Sequence, residues 1–172
     1  MADVSGRFCP SNRQRRVPPV EHAVKVASPL VILQDTREQT PWRFSNDCNV
    51  QIVTLTEGDY SMQGFSARVR VERKSLADLV GSITTGRERF LDECRRLTAF
   101  EFRLLVVESS VEAVLAHAYR SQTNPQSVLG SVIALHVDYG LPCIWAGDAR
   151  NAANIVERLF RRIAAKGEER AA

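Results

Sequence analysis

Long apolar runs are missing from this sequence. The longest, Pro29 to Leu33 and Phe102 to Val107, fall far short of the roughly 20 residues a membrane helix needs, and the N-terminus has no apolar signal core. The chain therefore reads as soluble, with no membrane partner. Cysteine is sparse and scattered: Cys9, Cys48, Cys94 and Cys143 form no C-x-x-C pair, and His22, His117 and His136 stand far from them and from one another. That spacing excludes a zinc ribbon or finger and gives no support to a His-based nucleophile site. Low-complexity segments and internal repeats are also lacking. Lysine is rare in a chain that otherwise uses arginine: after the first 28 residues only Lys74 and Lys166 occur.

What is present fits one α/β domain. The chain has 172 residues, 44% of them apolar and 25% charged, with a net charge of +3. The surplus is not spread evenly. Residues 1 to 28 hold five basic groups (Arg7, Arg13, Arg15, Arg16, Lys25) and two acidic ones (Asp3, Glu21), so the remaining 144 residues are neutral. With Pro10, Pro18 and Pro19 and no apolar periodicity, residues 1–28 read as a flexible basic arm, 29–165 as the domain and 166–172 as a C-terminal tail.

Within the domain, Leu30 to Leu33 is a buried strand by its length and β-branching, Val50 to Leu55 a second strand, and Asp59 to Met62 with Ala67 to Lys74 two strands joined around Gly64. Helices are expected over Ser75 to Ile83 and Arg87 to Ala99. A strand over Phe102 to Glu108 precedes a helix from a Ser109/Glu112 capping box to about Arg120. Asn124-Pro125 opens a helix that ends at Tyr139-Gly140; Leu141 to Trp145 is a short strand, and Asp148 caps the last helix. Strands with a hairpin followed by helices interleaved with strands give a mixed central β-sheet flanked by α-helices.

The chemistry concentrates in Gly58-Asp59-Tyr60 and Val71-Glu72-Arg73-Lys74-Ser75-Leu76-Ala77-Asp78. Side chains alternate across a strand, so Glu72 and Lys74 share a face, and the hairpin can bring that face to Asp59. Two carboxylates suit Mg²⁺ or Mn²⁺, which take hard oxygen ligands, while an ammonium beside them can orient water and stabilise charge developing on phosphate oxygens. Arg73 alternates to the opposite face and reads as a supporting residue, paired with Asp78. Arg68 and Arg70 have the parity of Glu72 and Lys74, so they either carry phosphate contacts on that face or form a solvated hairpin tip.

The full string, continued by Leu79-Val80-Gly81-Ser82-Ile83 and Gly86-Arg87 and preceded by Asp35-Thr36-Arg37-Glu38, resembles the nuclease domain of the XPF-type structure-selective endonucleases. These belong to the restriction-endonuclease-like, PD-(D/E)XK superfamily. The resemblance covers about residues 30 to 163. It implies a restriction-endonuclease-like α/β fold and a metal-dependent DNA endonuclease acting at branched, flap or junction DNA in repair or recombination. Asp59 and Glu72 would bind the metal, Lys74 would be the catalytic lysine with Arg73 beside it, and Asp35 and Glu38 would hold a second metal or orient waters. Arg37, Arg87 and Arg89 are further phosphate contacts, Arg87 lying in the family's G-R segment. Arg95 and Arg96 read instead as a solvated helix face, and Trp42 as core.

Many family members carry a tandem helix-hairpin-helix module after this domain. None is recognised here, so a stand-alone version is expected, working as a homodimer or with a partner subunit that supplies further DNA contacts. Val128, Val132, Ile133, Leu135, Ile155, Leu159 and Phe160 are candidates for both core and interface. The expected location is cytoplasmic, in association with DNA, or nuclear. The competing reading is a non-catalytic DNA-binding or scaffolding subunit; a junction resolvase or restriction-type nuclease on the same fold is a third.

Overall fold

A computed structural model describes the backbone of residues 29–171 and the side chains to residue 167. The proposed basic arm therefore lies outside the described residues. Six strands form one mixed sheet. In chain order they are β1 (Leu30–Asp35), β2 (Cys48–Val53), β3 (Tyr60–Met62), β4 (Val69–Lys74), β5 (Phe102–Val107) and β6 (Cys143–Trp145), arranged β2-β1-β3-β4-β5-β6. β1 is parallel to β2 and antiparallel to β3; β3 is antiparallel to β4, and β4, β5 and β6 run parallel.

Strand alternation sorts the side chains into two cores. One face presents Ile32, Tyr60, Met62, Val69, Val71, Leu104 and Val106 to the last helix, α5 (Ala149–Ala171), through Ala152, Val156, Phe160 and Ile163. The other face presents Leu105 and Val107 to α1 (Leu76–Ile83), α2 (Arg87–Leu97), α3 (Val111–Leu115) and α4 (Pro125–Tyr139), which contribute Leu79, Phe90, Leu97, Val114, Val128 and Leu135. Both layers close over the sheet, which is how a largely parallel sheet shields its two apolar faces.

Local chemistry sets the helix ends. Ser75 caps α1 by accepting the Asp78 amide, Asn124 caps α4 by accepting the Gln126 amide with Pro125 in its first turn, and Asp148 accepts the Asn151 amide at the start of α5. Gly140, at φ +54°, ends α4 in the left-handed region, where its lack of a Cβ removes the steric penalty.

Several boundaries differ from the sequence reading: β4 and β6 each begin two residues later, at Val69 and Cys143. α3 begins after Ser110, not Ser109, and stops at Leu115, five residues before Arg120, where His117 adopts φ +55° and turns the chain. Ser109 is buried, and its carbonyl accepts the Gly147 amide. β2 is shifted two residues toward the N-terminus, because its register against β1 starts at Leu30 opposite Cys48. Among the described residues Cys48, Cys94 and Cys143 are free thiols.

Candidate active site

The site forms where the β3–β4 hairpin meets the C-terminal ends of β1 and β4. Gly58 makes this possible. It holds φ +67°, and a Cβ there would lie 3.0 Å from the Val71 carbonyl oxygen, so any other residue would be strained and crowded. The turn delivers Asp59 alongside β4. The Asp59 amide donates to the Val71 carbonyl at 2.9 Å, its carbonyl accepts the Asp35 amide at 2.8 Å, and one of its carboxylate oxygens accepts the Arg73 amide at 2.7 Å.

Glu72 and Lys74 project from β4 toward the same groove and touch each other through Oε1 and Nζ. The groove, about 330 Å³, is lined by Arg37, Glu38, Gln39, Thr40, Asp59, Glu72, Arg73, Lys74, Ser75 and Asp78. Glu72 is only 2% exposed, and its Oε2 has no hydrogen-bond partner. A buried carboxylate oxygen left this way is costly unless a cation or proton completes it.

Electrostatics match that placement. Burial pushes the Asp59 carboxyl up to about 6, with the charges of Glu38 and Glu93 adding to the effect and the Arg73 amide and Lys74 opposing it. Glu72 is raised by burial first and by the Asp59 charge second. Burial alone would lower Lys74, but Glu72, Glu93 and Asp59 outweigh it and raise the ammonium above its ordinary value. The two directions for the touching pair oppose each other, since one favours a neutral carboxyl and the other a charged amine. The charged amine is the state consistent with the carboxylates around it, and the upward push on Glu72 is the cost of burying its charge beside that of Asp59.

Arg73 lies on the opposite sheet face, as alternation requires. Its partners are Glu108, at 2.6 Å from Nε, and Glu38, at 2.7 Å from Nη1, rather than Asp78, whose carboxylate accepts the Ser75 hydroxyl. Glu108 also accepts from the Trp42 indole, and Trp42 stacks on Tyr60 at 4.5 Å between centroids. Arg73 is thus the hub of a half-buried network at the groove wall. Its backbone amide, gripping Asp59, is the atom nearest the chemistry.

The remaining candidates divide by position. Asp35 does not line the groove. It is 1% exposed, with Oδ1 accepting from the Arg37 amide and Nε and Oδ2 from the Leu55 amide. These bonds hold its carboxyl below the ordinary range against the opposing effect of burial. Glu38 lines the groove and faces Arg73. Arg37 is exposed at the rim. Arg70 shares the face of Glu72 and Lys74 but turns inward, donating to Ser61 Oγ, the Ser66 carbonyl and the Val69 carbonyl and lying 4.3 Å over the Phe100 ring. The row of four side chains is broken a second time at Arg68, which precedes β4 and pairs with Glu101. Arg87 and Arg89 are exposed at the start of α2.

Three further groups belong to the site's surroundings. Glu108 ends the run Leu104-Leu105-Val106-Val107 as a lone charge after an apolar strand, a pattern that could have marked it. Glu57, two residues before Asp59, accepts from Arg96 at 2.5 Å. Glu93 sits in a helix dense with charge, where spacing alone gave it no distinction.

A family model described as the ERCC4 domain matches residues 34–159. The chain belongs to the ERCC4 domain family. The match runs from Gln34 in β1 to Leu159 in α5 and contains every residue of the groove. A solved structure described as XPF from Aeropyrum pernix superposes with a TM-score of 0.62 at 24% identity, covering 78% of this chain and 65% of that one. Another, described as the same protein in complex with DNA, gives 0.65 at 26% identity over 80% and 66%. These likenesses bear out the restriction-endonuclease-like α/β fold. A curated protein of Methanocaldococcus jannaschii, MJ1505, named provisionally as an ATP-dependent RNA helicase, is 29% identical over 132 residues. The chain spans 15% of the length of that relative and just under two thirds of the two solved chains.

Proposed function

We propose that the protein is a metal-dependent, structure-selective DNA endonuclease that hydrolyses phosphodiesters at flap, fork or junction DNA. The observation that carries this reading is the buried Glu72 carboxylate with its unpartnered Oε2, in one groove with Asp59 and Lys74. ERCC4 family membership and the likeness to a chain solved with DNA support the substrate class.

The donor set fits a hard divalent cation such as Mg²⁺ or Mn²⁺: two carboxylates, one with an oxygen awaiting a partner, and no sulfur or imidazole in the groove. Asp59 and Glu72 would hold the ion, which when bound would polarise the phosphate and make an attacking water more acidic. Asp35, with both oxygens engaged, is better suited to fixing the turn that carries Arg37 than to ligation. Lys74 acts as a charged donor. Its raised proton affinity keeps the ammonium intact at neutral pH, so it orients water and offsets negative charge on the phosphate oxygens and does not abstract a proton. Arg73 and Glu38, ion-paired at the groove wall, hold that wall in place, and the Arg73 amide fixes Asp59. Arg37, Arg87 and Arg89, all exposed, are the arginines available for phosphate contacts.

The exposed pair Ile133 and Val137, four residues apart on α4 and 63% and 72% accessible, supports a second copy as partner. The arm, residues 1–28, would add sequence-independent affinity, and the working location would be DNA-associated.

A nicking assay on flap, fork, four-way junction and linear duplex DNA tests the reading. Cleavage of branched substrates in Mg²⁺ or Mn²⁺, abolished by EDTA and by Lys74→Ala while DNA binding persists, is expected. Binding without cleavage by the wild-type protein across both metals would favour the scaffolding role instead.

A further inference from the structure

We infer that Glu93 is a third, outlying carboxylate of the active site, one that recruits the divalent cation through its hydration shell; this rests on the metal-dependent reading above. α2 lies along the site with one stripe facing it. Its Phe90 ring sits 5.1 Å from the Lys74 ammonium, and Arg96, six residues on, grips Glu57 beside the Gly58-Asp59 turn. Residues three apart on a helix lie on one face, so Glu93 falls between these two anchors, on the side of α2 turned toward the site and just outside the residues that line the groove. It is half-buried, and Cys94 beside it is fully buried, so this part of α2 is held in place. In keeping with that position, the Glu93 charge acts on Asp59, Glu72 and Lys74 together.

Direct ligation is not what the geometry supports. Among the described residues no three carboxylate, imidazole or thiol side chains converge closely enough to hold an ion jointly. Mg²⁺ dehydrates reluctantly and keeps several waters, whose hydrogens need acceptors. Asp59 and Glu72, one of them with a buried and unpartnered oxygen, are placed to touch the ion, and Glu93 is placed to accept from its waters and to add a third negative charge. Such outer partners raise metal affinity by about 10- to 100-fold. The exposed Asp92, the residue just before it on the same helix, pairs with Arg95 and is not among the charges acting on Asp59, Glu72 and Lys74, which makes it a matched control.

The test is Mg²⁺ and Mn²⁺ binding by titration calorimetry on the full chain without DNA. Glu93→Gln keeps the side-chain shape and loses the charge, and it should weaken the Kd by about 10-fold or more. Asp92→Asn should leave it within about 2-fold, and Glu93→Asp, which keeps the charge, should recover most of the affinity. Circular dichroism and melting in EDTA check that each variant folds. An unchanged Kd in Glu93→Gln, or equal weakening in Glu93→Asp and Glu93→Gln, would overturn the assignment while leaving the nuclease reading intact. Failure of the wild-type protein to bind either metal would overturn both.

Discussion

Removing the charge from Asp59 should destroy cleavage and stabilise the metal-free fold. In the unfolded chain this carboxyl titrates near 3.9, but burial raises it to about 6 in the native state. Between those values the folded protein binds more protons than the unfolded one, so stability falls as pH rises through that window and stays reduced above it. The full difference corresponds to about 3 kcal/mol as a ceiling, and coupling to Glu72 shares part of it, leaving roughly 1.5 to 3 kcal/mol. For a domain of this size each kcal/mol moves the Tm by about 2 to 4 °C. Asp59→Asn retains an oxygen that can accept the Arg73 amide, so the substitution isolates the charge. In EDTA the variant should melt with the wild type near pH 4 and roughly 3 to 12 °C above it by pH 7.5. Mg²⁺ should then raise the wild type by mass action and leave Asp59→Asn nearly unmoved. A pH-independent difference between the two, or a variant less stable than wild type at pH 7.5, would refute the reasoning.

Gly58→Ala forces a side chain into φ +67° against the Val71 carbonyl, so it should cost about 1 to 3 kcal/mol in denaturant melts and lower cleavage by displacing Asp59. Arg70 and Arg87 should separate cleanly: Arg70→Ala removes a buried guanidinium and its three inward bonds and should lower the Tm, whereas Arg87→Ala should leave the Tm unchanged, weaken DNA binding across sequences and reduce its salt slope by about 1. Deleting residues 1–28 removes five basic groups and should flatten the salt dependence of binding while metal-dependent cleavage survives; loss of cleavage in a folded, truncated chain would refute that division of labour.

Which parts of this molecule could be read in advance follows from how local their causes are. The strand at Leu30 to Leu33, the turn at Gly64 and the caps at Asn124 and Asp148 depend on residues a few positions apart, and each appears where its neighbours dictate. The same holds for Glu72, Arg73 and Lys74, because a period of two is a property of the strand itself. Arg70 obeys the same parity, and yet its surroundings depend on Phe100 and Ser61, which only the folded sheet brings to it. Asp35 is a comparable case: the family resemblance implied a ligand, but Leu55, twenty residues away, occupies its second oxygen.

Arg73 shows why the distinction bears on chemistry. Its expected partner Asp78 was near in sequence; its actual partners, Glu38 and Glu108, approach from β5 and from the loop after β1. They engage the guanidinium at the groove wall, while the backbone amide of the same residue holds Asp59. The strand thereby separates two tasks at adjacent positions. Odd residue 73 spends its charge on a closed network on one face, and even residues 72 and 74 keep theirs open on the other. With Arg73 tied to Glu38 and Glu108, the strand sets Glu72 and Lys74 side by side at the groove, the arrangement on which the proposed cation site rests.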